Sequence, residues 1–221
     1  MNKLKTIFFF VISLLCLSVG FVSCSDEDDG YTYPSLLSEF VDVCTDEFGA
    51  FNQLLTDNGE SLYIVNSAEI KAEGVIPETV YRAISRYEIV GGGVKLYSLQ
   101  AILAPKALPI DSFPEGVKFD AVEMQSVWRG GDYLNLILLV KALNGGHSFH
   151  FIEDSITSSP VGVNTLHLRL AHDAGDDVQA YTQKAYLSVP LQPYATILSG
   201  GDTIEISIPT ALGWEVWKRE F

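Results

Sequence analysis

From Leu36 onward, the apolar residues of this chain recur at every second position and almost nowhere at every third or fourth. In "TLHLRL", residues 165–170, Leu166, Leu168 and Leu170 alternate with His167 and Arg169. Successive side chains of an extended strand point to opposite faces, so this period builds half-buried strands and gives no continuous apolar stripe to a helix. The chain is expected to be all-β. The same pattern runs through "LLSEFVDVCTDEF" and "SLYIVN", then "YRAISRYEIV" and "VKLYSLQAIL". The last two flank Gly91-Gly92-Gly93, a hairpin signal because glycine takes positive φ at little cost.

Turn chemistry divides the pattern. "APKALPIDSFPEG", residues 104–116, holds three prolines and reads as a linker over 105–116 between a β domain at 36–104 and a second at 117–221. Seven further strand-like runs follow: "VKFDAVEMQSVW", "YLNLILLVKAL", "HSFHFIED", "TLHLRLAHD", "QAYTQKAYLSV", "DTIEISIP" and "WEVWKREF". Their spacing is that of an antiparallel β-sandwich.

The N-terminus has a different character. Lys3 and Lys5 precede an almost unbroken apolar run from Ile7 to Val22. That run suits a signal peptide and falls short of the ~20 residues of a membrane span. It ends at Ser23 and Cys24, and Ser25, Asp26, Glu27, Asp28 and Asp29 follow at once. Residues 1–23 are expected to be cleaved, and 24–35 to form an acidic tether. Val22-Ser23-Cys24 resembles the lipobox of bacterial lipoproteins, which implies acylation, palmitate included, at Cys24. Ser25 to Asp29 resembles the acidic export signal that sends Bacteroidetes lipoproteins to the cell surface. The implied place is the outer membrane, with a lipid anchor and the chain facing the exterior.

Cleavage would remove two of the 14 Lys and Arg and none of the 28 acidic residues, leaving 12 against 28. So acidic a surface repels phosphate backbones, and nucleic acid is not expected as a partner. Cys16 would leave with the signal and Cys24 would be lipidated. Cys44 then has no partner for a disulfide, and it reads as a small structural residue with no redox role assigned.

Three features together resemble the NigD-like lipoproteins of Bacteroidetes: the acidic tether after Cys24, "SRYEIVGGGVKLYSL" at 85–99, and "VWRGGDYLNLIL" at 127–138 with "HSFHFIE" at 147–153. The resemblance implies a small OB-like barrel followed by a C-terminal β-sandwich. It also implies an association with bacteriocin operons and an immunity role. No catalytic residue comes with it.

The remaining constellations favour structure over chemistry. His147 and His150 are three apart on one strand and face opposite ways, so they cannot share an ion. Asp173, Asp176 and Asp177 surround Gly175 in "HDAGDD", a hairpin turn that offers calcium at most weak binding because the spaced loop and bidentate Glu of a strong site are missing. Trp128, Tyr133, Trp214 and Trp217 are aromatics for core or interface, with sugar stacking as the rival role. Trp214 and Trp217 should face opposite ways. Phe221 ends the chain as outer-membrane barrel strands do, but Glu215 and Arg219 break the apolar register of such a strand. No catalytic motif, metal site or cofactor site is found. The expected function is a non-enzymatic surface lipoprotein that binds a protein partner; a glycan-binding accessory is the alternative.

Overall fold

The computed structural model describes residues 35–221. The signal segment, the lipidation at Cys24 and the export signal at Ser25–Asp29 lie outside the described residues. Within 35–221 the chain is nearly all strand, as the period of two requires. No described helix is long and apolar enough to cross a membrane.

Strands β1 (Leu37–Thr45), β2 (Phe51–Thr56), β3 (Ser61–Tyr63), β4 (Val80–Val90) and β5 (Gly93–Ala101) form one antiparallel sheet in the order β3-β2-β1-β4-β5. The sheet curls until Ile64, just past β3, bridges Val94 of β5 in parallel. This order with a parallel closure is that of a five-stranded OB-like barrel. Val41, Val43, Leu54, Tyr87 and Val94 fill it, each at most 2 % exposed. Gly91 and Gly92 make the β4–β5 turn, both at positive φ (58° and 84°), as a tight hairpin demands. The sequence pattern does not announce β2. A bulge gives β2 an extra residue, Asn52, where Cys44 and Thr45 face Gln53 and Phe51, so Phe51 and Leu54, an odd number apart, both turn inward.

Strands β6 (Glu123–Gly130), β7 (Tyr133–Ala142) and β10 (Tyr181–Pro190) form a sheet in the order β10-β7-β6. Strands β8 (Ser148–Ser158), β9 (Asn164–Asp173), β11 (Thr203–Thr210) and β12 (Gly213–Glu220) form its partner, in the order β12-β11-β9-β8. Eight of the nine neighbouring strand pairs in the three sheets are antiparallel, and β9 and β11 run parallel. Between the sheets lie Leu134, Leu136, Leu138, Phe151, Leu166, Leu168, Leu170 and Leu187, all at most 1 % exposed, with Phe221 at the rim of the same core. The Pro-rich stretch expected as a linker lies along the sandwich. Leu103 bridges Leu187 of β10, Leu108 bridges Ile152 of β8, and Phe119 bridges His172 of β9.

The barrel meets the sandwich at one buried cation. Arg82, on β4, is 3 % exposed in its side chain. Its guanidinium reaches Asp57 Oδ1 (2.7 Å) and Oδ2 (2.9 Å) and Asp42 Oδ1 (3.3 Å) in the barrel. It also donates to Asn135 Oδ1 (3.0 Å) on β7 and Ser188 Oγ (3.3 Å) on β10. Asn135 donates in turn to Asp57 (2.9 Å) and accepts from Ser188 (2.7 Å). The Tyr133 ring lies 4.0 Å from the guanidinium carbon and its hydroxyl donates to Asp42 (3.2 Å). Burial pushes the Asp42 carboxyl up, against the pull of Arg82 and Tyr133, and burial beside Asp42 pushes the Tyr133 hydroxyl up to about 12. Phe40 stacks on Trp128 at 5.1 Å beside this network. Trp128 is therefore an interface residue.

Removing one partner of a buried charge pair leaves an uncompensated charge, which costs about 3–5 kcal/mol. Arg82→Met strands both Asp42 and Asp57, so urea unfolding is expected to show a loss in that range. A loss under about 1 kcal/mol would show that water already satisfies the carboxylates.

Candidate binding surface

The β11–β12 hairpin exposes three large apolar side chains close together in sequence, Leu212, Trp214 and Val216. Its register decides which residues face out. Ile204, Ile206 and Ile208 point into the core, at most 1 % exposed. Directly opposed residues in an antiparallel pair share a face. Trp217, opposite Ile206, therefore packs on the core, while Trp214, opposite Pro209, and Val216, opposite Ser207, face out. Trp214 and Val216 are each 49 % exposed, and Leu212, in the two-residue turn, is fully exposed. The two tryptophans do face opposite ways.

The outer face of the β12-β11-β9-β8 sheet continues from this apolar end as paired polar groups. The Phe119 ring meets Trp214 edge-on at 5.2 Å, and the Arg169 guanidinium lies 5.4 Å from Phe119. Arg169 forks onto Asp154 with contacts of 2.6 and 2.9 Å. His167 sits between Thr157 (2.8 Å) and Glu205 (3.3 Å), and Glu205 pairs with Lys218 at 2.8 Å. Lys218 holds the Glu205 carboxyl below its usual range, with His167 adding to the effect. Such pairs satisfy one another and leave the exposed apolar side chains as the unsatisfied part of the face.

The histidines fall out differently. His150 is exposed and meets Phe113 at 5.2 Å. His147 and His172, 25 residues apart, come together with Nδ1 of the first 2.9 Å from Nε2 of the second. His172 Nδ1 lies 3.0 Å from the Asp120 carbonyl, which only accepts, so that nitrogen carries the proton. Nε2 then accepts from His147, and neither nitrogen of His172 is left for a metal or a substrate. Burial pushes His172 down, which keeps it neutral.

Two of the three aspartates of "HDAGDD" are likewise engaged. Asp173 pairs with Lys118 at 2.9 Å. Asp177 accepts from the backbone N–H groups of Leu143, Asn144, Gly145 and Val178, which pull its carboxyl down to about 2. It locks the turn after β7 and is not a solvated aspartate. Asp176 is exposed. Among the described residues, no three His, Cys, Asp or Glu gather as metal ligands would. Cys44 is half-buried on β1, and burial with nearby Asp42 pushes its thiol up, away from the reactive thiolate.

The sandwich has known counterparts. The family model of the NigD-like C-terminal beta sandwich domain matches residues 110–216. A NigD-like immunity protein of Bacteroides caccae is 34 % identical, with a TM-score of 0.64 over 86 % of this chain and 94 % of its own. The chain belongs to the NigD-like family. Two more distant crystal structures share the fold alone. One is a candidate toxin-related protein of Parabacteroides distasonis (18 % identity, 84 % and 93 % coverage, TM-score 0.65). The other is a candidate lipoprotein of Bacteroides fragilis (16 % identity, 85 % and 97 % coverage, TM-score 0.57). None of the curated proteins compared matches this chain.

The stretch matched to the NigD-like sandwich includes Phe119, Leu212, Trp214 and Val216. Sequence reading singled out Trp214 and passed over Leu212 and Phe119. Leu212 did carry a signal, because an apolar residue in a two-residue turn has no core to reach. Phe119 carried none, since its place depends on a bridge to β9, 53 residues away.

His172 also sets a pH dependence. Its ordinary value is 6.5, and in the fold it is lower, so the unfolded chain takes up a proton first as pH falls. The stability from neutral His172 is complete above about pH 7 and declines as pH drops through about 6. Thermal melts from pH 7.5 to 5 are expected to show this decline and a shallower slope in His172→Gln. Equal slopes would place the proton uptake elsewhere.

Proposed function

We propose that this NigD-like protein is a non-enzymatic lipoprotein, anchored in the outer membrane through Cys24 and facing outward, that binds a protein partner through the β11–β12 hairpin in bacteriocin immunity. One observation carries the reading. Leu212, Trp214 and Val216 are exposed together on one hairpin, in a chain 34 % identical over most of its length to a NigD-like immunity protein. Apolar side chains in such a group lose free energy by being covered, and an aromatic with apolar neighbours is the usual anchor of a protein interface. The engaged histidines and aspartates support a role without catalysis.

Trp214 also favours a second reading, a glycan ligand. Its half-exposed indole, met edge-on by Phe119, is a flat aromatic surface of the kind a sugar ring stacks on.

The test is to delete the gene and challenge the cells with bacteriocins of rival strains. Protection is expected to return with the wild-type gene and to stay absent with Leu212→Ser/Trp214→Ala/Val216→Ser, whose melting temperature should match the wild type. Killing that is unchanged by the deletion would sink the immunity reading. In that case, glycan-array binding lost in Trp214→Ala would establish the second.

A further inference from the structure

The barrel leaves one strand lane open. Strand β5 is the last of its sheet, so the backbone groups facing away from β4 have no strand to meet. The chain after β3 fills the start of this edge itself. Val65 N–H donates to the Val94 carbonyl at 2.9 Å. The Asn66 side chain then takes both backbone groups of Leu96, donating to its carbonyl and accepting from its N–H, each at 2.9 Å. There the chain leaves the lane, turning through a single 3₁₀ turn at Ser67–Glu69.

The next groups along the edge are set by the pairing with β4. Ile102 N–H donates to the Arg82 carbonyl at 3.0 Å. Hydrogen-bonded pairs alternate along an antiparallel ladder, so Gln100 with Ile84 and Ser98 with Arg86 are the preceding bonded pairs. Leu99 and Ala101 therefore turn their N–H and C=O groups away from β4. A cavity of about 470 Å³ runs beside this edge, walled by Ile70, Lys71 and Ala72 across from Leu96, Ser98 and Leu99.

We propose that this lane is a docking slot for an extended peptide strand of a partner protein, paired with Leu99 and Ala101 and bearing carboxylates beside Lys71 and Lys95. Addition of a strand to an open edge takes its affinity from main-chain hydrogen bonds and its specificity from flanking side chains. Both lysines line the slot and neither forms an ion pair among the described residues. Glu69 lines it as well, accepting from Asn66 at 3.4 Å, so the slot keeps a net positive charge in a chain of net charge −14. Lysines on an open edge also keep copies of one chain from pairing, which leaves the lane to an acidic strand. The slot lies on the barrel and is separate from the β11–β12 hairpin.

The experiment is selection of a displayed library of random peptides against the full-length protein, followed by hydrogen exchange with the enriched sequences. The expected peptides alternate β-branched residues between Asp or Glu and protect the Leu99 and Ala101 amides. Their affinity is expected to fall at least about tenfold on N-methylation of alternate peptide amides. The same loss is expected in Lys71→Glu/Lys95→Glu at unchanged melting temperature. The proposal is overturned if no peptide is enriched, if exchange at Leu99 and Ala101 does not change, or if N-methylated peptides bind as well.

Discussion

Everything in this fold is arranged around a guanidinium that water cannot reach. Arg82 belongs to the barrel, yet two of its hydrogen-bond acceptors, Asn135 and Ser188, are fully buried residues of the sandwich. A buried charge is tolerated only when its donors are satisfied, and the fork of Arg supplies five donors in a fixed plane. Moving either half of the molecule takes Asn135, Ser188 and Tyr133 away from Arg82 and its two carboxylates at once. The motif "WRGGDYLN" becomes intelligible on these terms. Asn135 and Tyr133 hold the network, and Gly130 leaves room for it, since a Cβ there would lie 2.1 Å from Asp57 Oδ2. The Pro-rich stretch reinforces the joint by laying its backbone along strands of both sandwich sheets.

A scaffold fixed in this way can present a surface without ordering it first. Charges on the outer face of the sandwich are consumed in pairs, among them Arg169 with Asp154 and Lys218 with Glu205. The His147–His172 contact and the amide-bound Asp177 are likewise committed to holding turns. On the same sandwich, one hairpin turns three apolar side chains outward together, Leu212, Trp214 and Val216. An exposed apolar group on a scaffold of paired charges is what the proposed binding role requires.

Local pattern carried the strands well and the joint not at all. Period-two alternation marked the leucines of "TLHLRL", which are all buried, and the glycine run marked the β4–β5 hairpin. The spacing of Trp214 and Trp217 was enough to set them on opposite faces. Strand β2 escaped because its own bulge at Asn52 spoils the alternation that pairing would otherwise impose. The Arg82 network escaped for a different reason. Arg82 and Ser188 are 106 residues apart, and neither sits in a local pattern that marks it as buried. The histidine contact is similar, since a strand period shows which residues cannot meet and leaves open which distant ones do. Leu212 was legible in principle, as an apolar residue in a turn too short to bury it.

The central claim is that the buried Arg82 network makes barrel and sandwich one cooperative unit, and scanning calorimetry of the wild-type protein tests it most directly. The account predicts a single transition whose calorimetric and van't Hoff enthalpies agree, because neither half can leave while the guanidinium keeps its acceptors in both. Two resolved transitions, or a calorimetric enthalpy well above the van't Hoff value, would mean that the halves unfold independently and that the network only decorates their contact.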